Sequence, residues 1–247
     1  MQLQVAPRQR SFRTDDVRLS TLRGQVGTDA QSDLDHTLAL MRAMQVEENP
    51  HPILRVYSPR PTVAFSRRES LMSSYPLAQD AAQSQGFAPV IRLAGGRAVA
   101  YDESCLVIDM ITPSDPGISN ELVFDVVSES VRRVLVDLGV DARVGAVDGE
   151  YCAGPHSVNA RGAVKLVGIA QRVTRGARLV TASIALGPAE RLRSVIDDVY
   201  AAMSLEWDPL TFGTVADEAV PASSETLTAG IITGLAVTHT KWAEPFA

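Results

Sequence analysis

Residues 149–172 read GEYCAGPHSVNARGAVKLVGIAQR. They set one cysteine, Cys152, and one lysine, Lys165, on a glycine-rich, hairpin-like segment within the longer stretch from Val144 to Leu186. A thiol is a nucleophile only as thiolate, and a neighbouring cation lowers its pKa. Flanked by Val164, Leu166, Val167 and Ile169, Lys165 is expected to be partly desolvated, which weakens its ammonium form and suits it to a positioned proton donor or acceptor. Cys152 stands among Gly149, Gly154 and Pro155 beside Glu150 and His156, where no strand or helix pattern asks for an apolar residue. The pair reads as acyl-transfer chemistry.

Downstream of this stretch, Lys165 to Val173 and Arg178 to Leu186 are expected to pair antiparallel around Thr174-Arg175-Gly176, with a helix from Ala189 to Met203 after them. Upstream, Ser119 to Leu138 carries Leu122, Val123, Val126, Val127, Val131, Val134, Leu135 and Leu138 on one helical face and stops at Gly139. Further back, the spacing predicts a helix from Asp33, with Ser32 as N-cap and Pro50 beyond its end. Two strands, Pro52 to Tyr57 and Pro61 to Ser66, follow, separated by the turn residues Ser58, Pro59 and Arg60. Then come a short helix over Tyr75 to Gln85 closed by Gly86, a strand from Ala88 to Leu93, and strands at Ala98 to Tyr101 and Cys105 to Ile111. Strands in pairs, separated by helices that do not alternate regularly, argue for an α+β fold with a mixed or antiparallel sheet and flanking helices. A short strand near Val17 to Leu22 and a last helix from Ser224 to Thr238 complete the expected elements. Residues 1–28 are expected to be a flexible or loosely attached segment, and 29–247 a single domain.

Composition narrows the class. At 247 residues, with 45% hydrophobic and 21% charged residues and a net charge of -6, the chain can bury a substantial core. It has no electrostatic bias toward nucleic acid or an anionic membrane. The two cysteines form no C-x-x-C and are not preceded by an apolar leader, so a cytoplasmic protein is expected. No run of about eighteen apolar residues occurs, and no membrane span is expected. Cys105 opens an alternating apolar strand and reads as a small buried hydrophobe. The four histidines are scattered and give no zinc-ligand spacing with two distant cysteines, so no metal is expected. His156 is a possible base for Cys152, although Gly154-Pro155 forbids the helical turn that would bring residues four apart together. Gly95 and Gly96 end a strand but form neither a dinucleotide fingerprint nor a Walker loop.

Two segments carry a family resemblance. Lys165-Leu166-Val167-Gly168-Ile169-Ala170-Gln171-Arg172 resembles the K-x-x-G-x-A-x-R segment of the lipoate-protein ligase and octanoyltransferase family, which shares the biotin protein ligase catalytic fold. Arg92-Leu93-Ala94-Gly95-Gly96-Arg97-Ala98-Val99-Ala100-Tyr101-Asp102 is similar to that family's R-R-x-x-G-G-x-A-V-x-H-D signature, with Ile91 in place of the first arginine and Tyr101 in place of the histidine. Thr181-Ala182-Ser183 likewise replaces the family's H-x-G or H-G-S pattern, and the strands Pro52 to Tyr57 and Pro61 to Ser66 resemble the family's P-x-L-R-x-Y, W-x-P-x-V-S hairpin without its tryptophan.

The resemblance implies a biotin/lipoate protein ligase-like domain and an acyltransferase of lipoate metabolism. It would pass an octanoyl or lipoyl group to a lysine of a lipoyl carrier domain, either the glycine cleavage H protein or a 2-oxoacid dehydrogenase E2 domain, with acyl carrier protein as a further partner. Cys152 and Lys165 would be catalytic, and Arg92, Gly95, Gly96, Arg97, Gly168 and Ala170 would bind substrate. The G-G-R form at Arg97 and the cysteine ahead of the lysine resemble the cysteine-dependent octanoyltransferases, which need no cofactor. The rival implied by the same family is a ligase that uses ATP, Mg2+ and lipoate to make an acyl adenylate, although the tail after about residue 205 is short for the accessory domain of many ligases. A third reading, motivated by the replaced motif residues, is a non-catalytic lipoate- or carrier-binding module.

Overall fold

The computed structural model describes residues 20–23, 27–218 and 229–230. Its main sheet is built from seven strands in the order β1 (Ser20–Arg23), β2 (Ile53–Tyr57), β6 (Cys105–Thr112), β10 (Ala177–Ala185), β9 (Val164–Thr174), β8 (Val158–Ala160) and β7 (Ala142–Val144). Only β1 and β2 run parallel; the other pairings are antiparallel. A second sheet holds β3 (Thr62–Ser66) between β4 (Ala88–Arg92), which is parallel to it, and β5 (Val99–Tyr101), which is antiparallel. The expected mixed sheet of an α+β fold is therefore present, divided into two.

The division corrects one expectation. β2 and β3 do not form a hairpin, because β2 pairs with β6 and β3 lies in the smaller sheet. Pro59 and Pro61 offer no N–H to a shared ladder, and all five residues of β3 are buried, so the strand is covered on both faces by other elements. The pair around Thr174-Arg175-Gly176 is as expected, with Thr181 opposite Ala170 and Ser183 opposite Gly168.

The helices follow their apolar faces. α1 (Ala30–Val46) begins three residues before the expected start: Asp29 caps it by accepting the Ser32 N–H, and Ser32 is inside the helix. Its early start buries Ala30. α2 (Tyr75–Ser84) ends before Gly86, which has a φ of 77°. α3 (Asn120–Asp137) is capped by the Ser119 hydroxyl and stopped by Gly139 at φ 89°. Its Val127, Val131, Val134 and Leu135 pack on Leu54, Val56, Ile108 and Ala182 of the main sheet, each such side chain contributing about 1.5–3 kcal/mol. α4 (Glu190–Ala202) packs against α2 and β5. A one-turn helix, α5 (Val215–Glu218), follows. The expected helix over 224–238 lies outside the described residues apart from 229–230, which are helical.

Successive residues of a strand face opposite sides. On the main sheet this sets Tyr57, Val107, Asp109, Leu179, Thr181 and Ser183 on the face away from α3. That face meets α1 and the smaller sheet, and between them a cavity of about 440 Å³ remains. Among the described residues no helix is long and apolar enough to cross a membrane.

Candidate active site

The cavity is lined by residues from both sheets and from the loop before β8, including Arg92, Gly95, Gly96, Cys152, Lys165, Gly168 and Ala170. Of the residues to which the resemblance gives a catalytic or substrate-binding role, Arg97 alone is absent from this lining; its side chain is exposed and its backbone does the local work.

Lys165 lies near the start of β9 and its side chain is 2% exposed. An ammonium group has three donors and no acceptor, and here they meet Glu150 Oε1 at 3.2 Å, the Tyr151 carbonyl at 3.0 Å and the Cys152 carbonyl at 2.9 Å. The Tyr151 ring adds a face 4.6 Å away. Burial lowers the Lys165 pKa, opposed by the charges of Glu150 and Cys152. Desolvation is thus more complete than the flanking residues alone suggested.

Glu150 is the counterpart that sequence reasoning passed over. Its carboxylate is buried and also accepts the Val147 N–H at 3.0 Å, the Gly154 N–H at 3.2 Å and the Ser157 hydroxyl at 2.7 Å. One side chain thereby folds the 147–157 loop around itself and ties it to β9. An acidic residue after a glycine reads as a solvated loop residue; the signal that could have found it was a carboxylate two positions from the cysteine in a chain with a buried lysine to neutralise.

Cys152 sits at φ 44°, a left-handed conformation costly for a residue with a side chain. Three neighbours hold it there. Its N–H donates to the Tyr200 hydroxyl of α4 at 2.9 Å, its carbonyl accepts from Lys165, and its Sγ accepts the Arg97 N–H at 3.1 Å. The Tyr200 hydroxyl in turn donates to the Ala98 carbonyl at 3.1 Å.

The Gly95-Gly96 turn closes over the sulfur. A Cβ at Gly96, which has a φ of 98°, would lie 2.7 Å from Arg92 Nη2 and 3.0 Å from Cys152 Sγ, so glycine is required there by both space and backbone. At Gly95 a Cβ would meet nothing within 4 Å. Glu69 braces the turn by accepting the Ala98 N–H at 2.8 Å. Arg92 donates through Nη2 to the Arg97 carbonyl at 2.7 Å, while its buried Nε has no hydrogen-bond partner among the described residues.

His156 also lines the cavity, but it stacks on Phe124 with ring centroids 4.8 Å apart and turns Nδ1 toward Asp125 at 3.3 Å. The structure does not pair it with Cys152. Cys105 is buried, as its strand pattern indicated, and burial pushes its thiol up to about 12. Among the described residues no group of His, Cys, Asp and Glu has the arrangement of a metal site.

Comparison with known proteins finds relatives in sequence and in fold. The lipoyl protein ligase A/B catalytic domain model matches residues 29–200. An octanoyl-[GcvH]:protein N-octanoyltransferase of Exiguobacterium sibiricum is 31% identical over 60% of this chain and 55% of its own length. A lipoyl-[GcvH]:protein N-lipoyltransferase of Listeria monocytogenes is 28% identical over 48% of this chain and 43% of its own. The chain thus spans about half the length of the curated relatives it matches. A crystal structure of lipoate-protein ligase A bound with ATP superposes with a TM-score of 0.70 at 22% identity, covering 89% of this chain and 85% of that one, which is a likeness of fold.

Proposed function

The chain belongs to the lipoyl protein ligase A/B catalytic domain family, and from that premise we propose that it is a cytoplasmic acyltransferase moving an octanoyl or lipoyl group between carrier proteins through Cys152. The observation that carries the reading is the gathering of Cys152 Sγ, the Gly95-Gly96 turn and the Lys165 ammonium at one end of a cavity open to an acyl chain. Both cysteines are free, in keeping with a reducing compartment.

In the first half-reaction the Cys152 thiolate attacks the donor carbonyl, the donor's bond to its carrier breaks, and a thioester to Cys152 forms. The leaving group takes up a proton. In the second, the acceptor lysine amine attacks that thioester, an amide forms, and the thiolate departs as the amine loses its proton. Lys165 has all three donors engaged in the resting state, so it reaches the carbonyl oxygen by exchanging one of them, offering charge where the tetrahedral oxyanion develops. Arg92 and the Gly95-Gly96 turn line the same cavity. By analogy with the relatives' names, the donor is an acylated GcvH-type carrier and the acceptor a second lipoyl domain.

The same family supports an ATP-dependent ligase reading, favoured by one feature, the Arg92 guanidinium in the cavity lining beside the glycine turn, whose charge suits an adenylate phosphate as well as a carbonyl. One experiment separates them. Brief exposure to an octanoyl-carrier thioester without acceptor should add one acyl group by intact-mass spectrometry, removable by hydroxylamine and absent in Cys152→Ala. Full ATP-dependent lipoylation by Cys152→Ala, with no acyl-enzyme trapped, would establish the ligase instead.

A further inference from the structure

The two ends of the cavity differ in chemistry. Lys165, Gly168 and Cys152 mark the β9 end. Across the sheet, Tyr57 on β2 lies three strand steps from Gly168 along the row Gly168, Ser183, Val107, Tyr57. At about 4.7–4.9 Å per step the separation is about 14 Å, a span suited to an extended eight-carbon acyl chain with a small group at its tip. This far end is not the plain hydrocarbon wall that an alkyl tip would call for. Tyr57 and Tyr101 both border the cavity, are 3% and 7% exposed, and have no hydrogen-bond partner for their hydroxyls among the described residues. Neither hydroxyl is sealed away from the cavity as a buried orphan. Burial raises both phenol pKa values, so both stay protonated donors.

The neighbouring polar groups are already committed. Asp109 accepts the Thr37 hydroxyl at 2.6 Å and pairs with Arg55 at 3.4 Å, and the Arg55 guanidinium lies 3.7 Å over the Tyr57 ring. The guanidinium thus packs on the Tyr57 ring while the carboxylate is engaged elsewhere, and the phenol hydroxyls keep hydrogen-bonding capacity to spare. An apolar methyl tip would bury two donors without satisfying them, whereas a polarizable or hydrogen-bond-accepting atom would use both the ring edges and the hydroxyls.

We infer that Tyr57 and Tyr101 form a specificity subsite for a heteroatom at the far end of the acyl chain, so that the cavity takes a sulfur- or oxygen-tipped acyl group, of which the dithiolane of lipoate is one, in preference to unsubstituted octanoyl. The inference rests on the acyl-cavity reading above. It extends that reading by choosing between the two acyl groups the relatives carry.

Binding of octanoic, 8-hydroxyoctanoic and lipoic acids to Cys152→Ser by titration calorimetry tests the subsite without requiring turnover. Lipoic or 8-hydroxyoctanoic acid should bind about tenfold more tightly than octanoic acid, and the ratio should fall toward one in Tyr57→Phe and Tyr101→Phe, changes that keep ring volume. Sulfur preference alone identifies the dithiolane; preference for both tips identifies the hydroxyl donors as the discriminating groups. Equal affinity of all three acids, absence of binding, or a ratio unaffected by both phenylalanine variants overturns the subsite. Retention of the ratio in a wild-type protein that never forms an acyl-cysteine would leave the subsite standing and remove the transferase reading alone.

Discussion

Glu150 does at the scale of one residue what a metal or a disulfide does elsewhere: four donors from three directions converge on its carboxylate. Its charge raises the Lys165 pKa against the lowering effect of burial. A reaction that needs the ammonium form is lost as pH rises through the folded-state pKa, which lies below the 10.5 of a free lysine. The alkaline limb of the acylation rate should therefore sit below the ordinary lysine range, and Glu150→Gln should move it lower still. An unshifted limb in a folded Glu150→Gln variant, read from a pH–rate profile, would remove the coupling. Lys165 itself gives a second expectation. Lys165→Arg keeps a charge but cannot place a compact ammonium between two carbonyls and a carboxylate, so transfer should fall by on the order of 10²–10⁴. Lys165→Ala strands the Glu150 carboxylate, and urea unfolding should show a loss of about 3–5 kcal/mol.

Among the elements, the Gly95-Gly96 turn sets the roof of the site. Gly96→Val should place a branched side chain against Arg92 and Cys152 Sγ at positive φ, raising KM for the acyl donor at least tenfold while the smaller sheet remains folded. Gly95→Ala, with open space around its Cβ, should change KM little. Saturation kinetics on both variants checks the contrast, and equal effects would refute it. The turn was legible in the sequence because two glycines after an apolar strand have few other uses. The β9–β10 pair was legible from its alternation around Gly176, and α3 from its stripe of valines. What was not legible required long-range partners. The strands holding Arg55 and Asp109 read as apolar runs, and nothing local says that their charges meet across adjacent strands. β7 and β8 are three residues each, too short for a period to register. The hairpin expectation failed because neighbours in sequence were assigned as neighbours in space.

Across the whole molecule, α1 is joined to the main sheet by a buried ionic cluster. Arg55, 0% exposed, meets Asp33 of α1 at 2.7 Å and Asp109 of β6 at 3.4 Å, and Thr37 bonds both the guanidinium and Asp109. Desolvation raises the Asp109 pKa even so. Arg55→Met fills similar volume but leaves Asp109 without its counter-charge, and a loss of about 3–5 kcal/mol in denaturant unfolding is expected. Asp109→Asn in the same background should recover part of it. No recovery would show that the charge is not the reason for the loss.

The strained backbone of Cys152 has a consequence for when this protein becomes reactive. Its amide is gripped by α4, its sulfur by a turn of the smaller sheet and its carbonyl by a strand of the larger one. Each layer holds a different atom of the residue, so the arrangement proposed for the nucleophile exists only when all three are in contact. A chain in which one layer is undocked lacks one of these three holds. If Cys152 carries the acyl group as proposed, the fold works as its own safety catch, withholding that arrangement from every species except the finished one.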